Sequence, residues 1–364
     1  LIQSNNIHEF VKFHNKVIIL NDLDFLKSIV EIYSVSENEM AVTDHIVEVM
    51  KKLGFNSYKD EVGNAVGEIG EGDNQILLVG HIDTVPGEIP VKIRGGKLYG
   101  RGSVDAKGPF ATFVMAASKV KNLKNKKIVV VGAVEEEIAS SKGAKNLLNK
   151  HKPEFIIIGE PSGYDAITIG YKGATRVEYQ LDKENFHTAG EGENEIEEAI
   201  NFFLKLKGLV YNYNQDKTKI FDKLQIQLSK VNSISDGFTN TIHMDLRFRI
   251  PIGYDISNIK KFIETNKGNA QIKIHGIEYP IKVPKNNDLV KQFLKSMRKH
   301  HIKPRFKVKT GTSDMNVLGY GYPDVPIVTY GPGDSSLDHT PNEHIIIKDY
   351  SKAIEVLTEV LENL

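Results

Sequence analysis

A continuous apolar run that ends in glycine constrains this chain more than any other feature. Residues 76–80 read ILLVG, and His81 follows at once, with Asp83 two positions later. A run without polar alternation predicts a strand that is buried on both faces, as in parallel sheets. Open sheets of this kind place their chemistry at the carboxyl ends of the strands. The sequence therefore predicts a functional edge at His81 and Asp83, with the nearby Asp105 as a further candidate.

Strands and helices alternate along the chain and predict a doubly wound α/β fold. Apolar runs at 127–134 and 155–159 predict two more buried strands, and apolar side chains recur at helical spacing in 24–53 and 108–120. From residue 166 the order changes to strand, helix, two strands, helix and strand. That order is the split βαβ arrangement of ferredoxin-like domains.

This change of pattern predicts a discontinuous first domain with a second domain inserted into it. The insert is expected to begin with one strand over 166–181, and the α/β pattern resumes after residue 277. We therefore predict a catalytic domain made of 1–165 and 278–364, with 166–277 as an inserted α+β domain. Residues 1–20 match no motif.

Composition excludes several classes of function. The 47 basic and 47 acidic residues cancel, so overall charge does not favour nucleic acid or a membrane surface as partner. No apolar stretch has the length of a membrane span and no secretory leader is recognisable, so we expect a cytoplasmic protein. Cysteine is absent, which removes disulfides, thiolate nucleophiles and cysteine metal sites. His, Asp and Glu remain as the strong metal ligands.

Other ligand-type side chains fall at the same predicted edge. Three consecutive glutamates, 135–137, follow one predicted strand, Glu160 follows the next, and His339 lies in a loop rich in Gly, Pro and Ser. Taken singly, a histidine is more often a hydrogen-bonded structural residue, and an acidic run is more often a surface feature. Together with His81 and Asp105, these residues suit a pair of zinc ions that share one bridging carboxylate.

Five motifs now carry a resemblance to a known family. GHIDTVP, GRGSVDAKG, EEE before KGA, GEPSG and DHTPNE, in this order, resemble the aminoacylase/carboxypeptidase G family of co-catalytic zinc hydrolases. The resemblance spans about residues 23–364 and implies a zinc-peptidase-like mixed sheet with an inserted lid and dimerisation domain. Within the family, the segments GRGSVDAKGP, AVEEEIASSKGA and KTGTSDMN are similar to the LysW-lysine/LysW-ornithine hydrolases.

The resemblance implies a specific set of metal ligands. One zinc would be held by His81 and Glu160, a second by Glu137 and His339, and Asp105 would bridge the two. Cobalt is an alternative to zinc, because affinity and availability both decide which ion a site takes.

The resemblance also implies roles for residues beside the ligands. Glu136 would be the general base that takes a proton from the attacking water, although Glu135 with Glu136 is an alternative register for base and ligand. Asp83 would accept the second ring N–H of His81 and so fix its tautomer. The family further implies a cis peptide between Asp105 and Ala106.

Substrate-binding candidates come from the insert and from the KTGTSD segment. His187 resembles the family's oxyanion-stabilising histidine, which often acts in the neighbouring subunit of a dimer; the residue after it is threonine here, where serine is usual. Asn240 and Arg249 resemble residues that bind the oxyanion side and the substrate carboxylate, and Arg247 is an alternative carboxylate clamp. Lys309, Thr310, Gly311, Thr312, Ser313 and Asp314 would form a wall of the pocket.

The implied function is hydrolysis of an amide bond to an amino acid. The expected reaction releases lysine or ornithine from the C-terminal glutamate side chain of LysW, a small acidic amino-group carrier protein, by a homodimer. Alternatives are a small-molecule deacylase or dipeptidase, such as an acetylornithine or succinyl-diaminopimelate type enzyme, and a catalytically silent metal-binding scaffold. Basic stretches at 119–127 and 291–309 are either solvated surface or a steering surface for the acidic carrier.

Overall fold

The computed structural model describes residues 21–187 and 192–364. The helices in chain order are α1 (Asp22–Glu31), α2 (Met40–Lys52), α3 (Lys107–Ser118), α4 (Lys142–Leu147), α5 (Glu195–Asn214), α6 (Ser257–Asn266), α7 (Asp288–Lys299), α8 (Asp314–Gly321) and α9 (Ile347–Asn363). The strands are β1 (Asn56–Lys59), β2 (Ala65–Ile69), β3 (Glu71–His81), β4 (Lys92–Arg94), β5 (Lys97–Tyr99), β6 (Lys124–Ala133), β7 (Pro153–Gly159), β8 (Ala166–Tyr171), β9 (Gly173–Glu184), β10 (Gln225–Ser235), β11 (Thr239–Ile250), β12 (Gln271–Ile274), β13 (Ile281–Lys282), β14 (Arg305–Lys309), β15 (Ile327–Thr329) and β16 (His344–Ile346).

Within the described residues, a nine-stranded mixed sheet forms the centre of the molecule. Its order is β1-β2-β6-β3-β7-β15-β8-β13, and β14 also pairs with β8. At its middle, β3 runs parallel to both β6 and β7, and β15 runs parallel to β7. The predicted α/β class with a central mixed sheet is therefore confirmed, and the carboxyl ends of three neighbouring strands meet at one edge.

The two faces of this sheet are both covered, which explains the continuous apolar runs in the sequence. Along β3, Ile76 and Leu78 pack in one hydrophobic cluster, and Leu77 and Val79 pack in another on the opposite face. Alternate residues of a strand point to opposite faces, so a strand covered on both sides has no position for a polar side chain. Helix α3 is buried along nearly its whole length against this sheet.

A second sheet of four antiparallel strands, in the order β10-β11-β9-β12, is built from the inserted segment. With α5 and α6 it has the βαββαβ order that the sequence predicts, and it has a hydrophobic cluster of its own. Strand β9 alternates buried and half-buried residues, as expected for a sheet with one open face.

The strand predicted over 166–181 is wrong as a single element. Residues 166–171 form β8, which pairs with β13, β14 and β15 in the large sheet, and only β9 belongs to the four-stranded sheet. All six residues of β8 are buried, whereas β9 alternates from Gly173 onward. The division between the two patterns at Gly173 is thus the physical boundary of the small sheet.

Residues 24–53, where apolar side chains recur at helical spacing, contribute to two helices, α1 and α2. Between α1 and α2 the chain turns, and Val35 pairs with Thr84 in the loop that follows β3. Residues 1–20, for which no motif was found, lie outside the described residues. Among the described residues, no helix combines the length and apolar character needed to span a membrane.

Candidate metal centre

Three glycines bring the site loop close to the central strands. Gly80 of β3 lies beside Gly132 of β6 and Gly159 of β7 in the sheet register. A Cβ at Gly132 would lie 2.9 Å from the side chain of Ile82, and a Cβ at Gly159 would lie 2.9 Å from that of Phe113. A Cβ at Gly80 would lie 3.2 Å from Phe110. Helix α3 therefore packs directly on the sheet, and the loop before it carries Asp105 to the end of β3.

His81 occupies the centre of a buried cluster at this edge. It is 1% exposed, and its Nε2 lies 3.2 Å from Asp105 Oδ1, 3.7 Å from Glu160 Oε1 and 4.0 Å from Glu136 Oε2. The register of β3 with its neighbours explains this meeting, because His81 lies beside Ala133 and Gly80 beside Gly159. The glutamates that follow β6 and β7 consequently flank His81 on both sides.

His339 approaches the same cluster from the other end of the chain. Its Nε2 lies 3.1 Å from Asp105 Oδ2 and 3.1 Å from Glu137 Oε1. Asp105 thus presents one carboxylate oxygen to His81 and the other to His339. This is the arrangement that a bridging carboxylate requires.

The donor set suits divalent cations. Two overlapping groups, His81 with Glu136 and Glu160, and His81 with Asp105 and Glu137, each have ligand atoms within 4.8 Å of one another. Imidazole nitrogen and carboxylate oxygen are the donors of catalytic zinc sites and also accept other first-row divalent ions. The residues present therefore fit a pair of metal ions.

The cluster contains more carboxylates than histidines. Burial raises the pKa of Glu136 well above its ordinary value and raises that of Glu160 to about 7. Hydrogen bonds to Asp105 and Glu137 raise the pKa of His339 to about 10. Burial lowers the pKa of His81, but Asp105 and Asp83 beside it raise it well above its usual value. Close carboxylates that cannot all ionise together are relieved by a bound cation.

Asp83 supports the cluster by contacts that the sequence reasoning missed. Its Oδ1 and Oδ2 accept hydrogen bonds from the backbone N–H groups of Glu136 and Glu137, both at 3.1 Å, and Ser36 Oγ donates to Oδ2 at 2.7 Å. For the His81 ring, Nδ1 lies 3.0 Å from the backbone oxygen of Asp83 and 3.5 Å from Oδ1. The closer acceptor is the carbonyl, so the carboxylate is chiefly an anchor for the glutamate loop.

The three consecutive glutamates face different partners. Glu135 accepts hydrogen bonds from Ser140 Oγ at 2.6 Å and Lys142 Nζ at 3.0 Å. Glu136 and Glu137 face the histidines, as given above. The geometry thus favours Glu136 and Glu137 as the pair in the cluster, over the alternative register with Glu135. The predicted cis peptide between Asp105 and Ala106 is confirmed.

The predicted substrate wall adjoins this cluster. Lys309 Nζ lies 3.5 Å from Glu160 Oε2, and Arg249 Nη1 donates to Thr312 Oγ1 at 3.3 Å. Thr310 and Gly311 lie between Lys309 and Thr312 in the chain. A Cβ at Gly311 would meet no atom within 4 Å. Arg247 lies on the same face of β11 as Arg249 but is exposed, whereas Arg249 is half-buried.

His187 and Asn240 lie at the other end of the small sheet. Asn240 pairs with Lys183 near the end of β9, whereas Arg249 pairs with Ala174 at its start. The nine residue steps from Asn240 to Arg249 span about 30 Å of extended strand. His187 follows β9 by three residues and so belongs to the Asn240 end. The threonine after His187 lies outside the described residues.

Two further buried acidic residues belong to the site region, and neither was assigned a role beside the metal ligands from the sequence. Asp314 is 2% exposed, and its Oδ1 has no hydrogen-bond partner among the described residues. Glu343 is fully buried and contacts the loop that carries Asp105. Both stand inside quoted motifs, KTGTSDMN and DHTPNE, so the signal was present, but spacing alone did not show what these residues touch.

The basic stretches carry ion pairs with neighbouring acids. Lys119 pairs with Asp22 in the first stretch, and Arg305 pairs with Asp165 in the second. These pairs support the interpretation of both stretches as solvated surface.

The profile of Peptidase family M20/M25/M40 matches residues 77–363. The chain belongs to this family. Membership confirms the resemblance to metal-dependent hydrolases that the motifs indicated.

Relatives in the M20 family are similar over nearly their whole length. The LysW-lysine hydrolase of Deinococcus radiodurans is 38% identical, covering 94% of this chain and 96% of its own. The LysW-lysine/LysW-ornithine hydrolase of Sulfurisphaera tokodaii is 33% identical over 94% of this chain and 95% of its own. An M20 family metallo-carboxypeptidase from Sulfolobus solfataricus, 21% identical, has the same fold with a TM-score of 0.73, covering 94% of this chain and 98% of that one.

Proposed function

We propose that this M20 protein is a two-metal amide hydrolase that releases lysine or ornithine from the C-terminal glutamate side chain of the carrier protein LysW. The observation that carries the proposal is Asp105, whose two carboxylate oxygens face His81 and His339 within 3.2 Å. The substrate follows from the relatives, two of which are named as hydrolases of LysW-lysine or LysW-ornithine and match along almost their full length.

The residues that would hold the metals are those around Asp105. His81 and Glu160 would bind one ion, Glu137 and His339 the other, and Asp105 both. Bound divalent ions, with zinc or cobalt as the candidates, would act as Lewis acids that polarise the scissile carbonyl and the attacking water. Side chains of the protein would transfer the proton and bind the substrate.

Glu136 is the proposed general base. Its Oε2 lies 4.0 Å from His81 Nε2, and Asp83 fixes its backbone N–H. The side chain therefore lies beside the proposed ligands, and we assign it to the attacking water and Glu160 to the metal. It would take a proton from the attacking water and return it to the leaving amine.

Recognition of the amino acid is assigned to the wall beside Glu160. Arg249 would bind the free carboxylate of lysine or ornithine with its guanidinium fork. Lys309, Thr310, Gly311 and Thr312 would line this pocket, since Lys309 adjoins Glu160 and Thr312 adjoins Arg249.

The distant placement of His187 and Asn240 supports a homodimer. Asn240 lies about 30 Å along β11 from Arg249, and His187 lies at the Asn240 end of the sheet. We therefore assign both to the active site of the partner subunit, where His187 would stabilise the oxyanion. The surface near them suits a second copy, because β10 is an edge strand with exposed apolar side chains. The exposed apolar residues are Val231 and Ile234 on β10, Phe238 in the turn after it, and Ile196, Ile200, Leu204 and Tyr211 on α5.

The first experiment combines metal content with a substrate panel. Metal per chain is measured by mass spectrometry, and release is assayed on LysW carrying lysine or ornithine, on acetylornithine and on succinyl-diaminopimelate. Two metals with release from LysW support the proposal. Two metals with cleavage of only the small substrates would instead identify a small-molecule deacylase, and two metals without any hydrolysis would indicate a silent scaffold.

Glu136→Gln tests the base, with Glu135→Gln as a matched control. Loss of a general base lowers kcat by about 10²–10⁴-fold, and the metal content of Glu136→Gln should be unchanged. Glu135→Gln should retain activity within a few fold, because its carboxylate contacts Ser140 and Lys142 instead of the cluster. Full activity in Glu136→Gln would exclude it as the base.

A further inference from the structure

Two buried residues outside the proposed ligand set join the two loops that carry the metal-binding side chains. Glu343 is fully buried and Arg101 is 7% exposed. Arg101 Nη1 donates to Glu343 Oε2 at 2.8 Å, across a sequence separation of 242 residues. The contact therefore ties the loop before α3 to the loop after His339.

The other oxygen of Glu343 reaches the backbone of Asp105 itself. Glu343 Oε1 accepts hydrogen bonds from the N–H of Val104 at 2.9 Å and the N–H of Asp105 at 3.1 Å. One carboxylate oxygen thus fixes two successive amides at the residue whose side chain lies between His81 and His339. Any shift of these amides would move both Asp105 oxygens together.

Arg101 extends the same connection to the His339 side. Its Nε donates to the carbonyl of Gly87 at 2.9 Å, and its Nη1 also lies 3.4 Å from the carbonyl of Thr340, the residue after His339. The backbone N–H of Gly100 further donates to the carbonyl of Glu343 at 3.3 Å. Both loops are therefore held to one buried ion pair.

We propose that Glu343, held by Arg101, is a positioning residue that orients Asp105 between His81 and His339. This inference rests on the proposed function, which assigns Asp105 to both metals. A purely stabilising role is the weaker explanation, because a buried ion pair often contributes little net stability relative to apolar residues of similar size. Residues that orient metal ligands make contacts of this kind, and Glu343 anchors two amides next to the proposed bridging ligand.

The test uses Co²⁺ as the probe on full-length protein freed of metal. Glu343→Gln keeps the size of the side chain but removes the charge that faces Arg101. We expect its affinity for Co²⁺ to fall by about 10–100-fold. Its visible and electron paramagnetic resonance spectra with two Co²⁺ should also differ from those of the wild type, and kcat should fall while KM changes little.

Two other variants keep the test decisive. Glu68→Gln is the matched control, since Glu68 pairs with Lys127 at 2.7 Å on the large sheet, away from the cluster, and it should bind Co²⁺ like the wild type. If Glu343→Gln does not fold, Arg101→Lys is measured in its place, because lysine keeps the charge but cannot hold Gly87 and Glu343 together.

The outcomes separate this inference from the function on which it rests. Wild-type Co²⁺ affinity and spectra in Glu343→Gln would overturn the positioning role, even if the melting temperature fell. A wild-type protein that binds fewer than two Co²⁺ would overturn the two-metal function and the positioning role with it.

Discussion

A mixed dimer of two inactive variants tests whether His187 acts in the partner's active site. One subunit carries His187→Ala and the other Glu136→Gln. If His187 reaches across, one active site of the mixed dimer combines an intact Glu136 with an intact His187 from its partner. The other site carries both lesions.

The kcat expected of the mixed dimer follows from the geometry of the small sheet. Asn240 pairs with Lys183, and the N–H of Asn185 still bonds to the carbonyl of Phe238, so His187 leaves the sheet at that end. Two further residues extend at most about 7 Å, which cannot return the ring across about 30 Å of strand to Arg249. The purified mixed dimer should therefore have about half of the wild-type kcat, since one of its two sites is complete.

The parent variants set the baseline for this assay. Loss of one oxyanion donor lowers kcat by about 10²–10³-fold, so His187→Ala alone should be nearly inactive, as should Glu136→Gln. The two subunits are co-expressed with different affinity tags, purified through both, and assayed for lysine release from LysW-lysine.

A mixed dimer of Glu136→Gln with His339→Ala is the control. Both of these lesions lie in the same cluster, so each site would carry one of them and activity should stay at the baseline. A His187/Glu136 mixed dimer that is no more active than its parents would refute the exchange of His187 between subunits. Failure to isolate any mixed dimer would refute the homodimer.

Three further predictions concern the metal site and its pocket. Asp83→Asn leaves a single acceptor for the amides of Glu136 and Glu137, so Co²⁺ affinity should fall by about 10–100-fold; an unchanged titration would contradict the anchoring role. Arg249→Lys should raise KM more than Arg247→Lys, because only Arg249 adjoins the pocket wall, and steady-state kinetics showing the reverse order would make Arg247 the clamp. Removing metal with a chelator should lower the melting temperature, since an ion at 100 times its Kd stabilises the fold by about 2.7 kcal/mol; calorimetry without any shift would argue against bound metal in the folded protein.

The apolar runs were enough to predict the centre of the fold. A strand covered on both faces must be apolar throughout, so residues 76–80 could be recognised without tertiary information. The glutamates and His81 could be placed together for the same reason, because parallel strands end at one edge and each motif directly follows a strand. His339 was found from its loop motif, although it lies 258 residues after His81 in the chain.

The boundary of the insert could not be predicted so well. Residues 166–171 and the strand after them are both rich in β-forming side chains, so they were joined into one element. Only pairing in the structure separates them, because a strand's partner is chosen by distant segments rather than by its own pattern.

The sequence by itself determined which chemistry is available, through the ligand types at the strand ends and the absence of cysteine. The tertiary structure decided which partner each side chain contacts. Glu135 points to Lys142 while its neighbours face the histidines, Asp83 anchors a loop, and Glu343 reaches the amide of Asp105 across 238 residues. These choices depend on backbone direction and on contacts between remote segments, which no local spacing specifies.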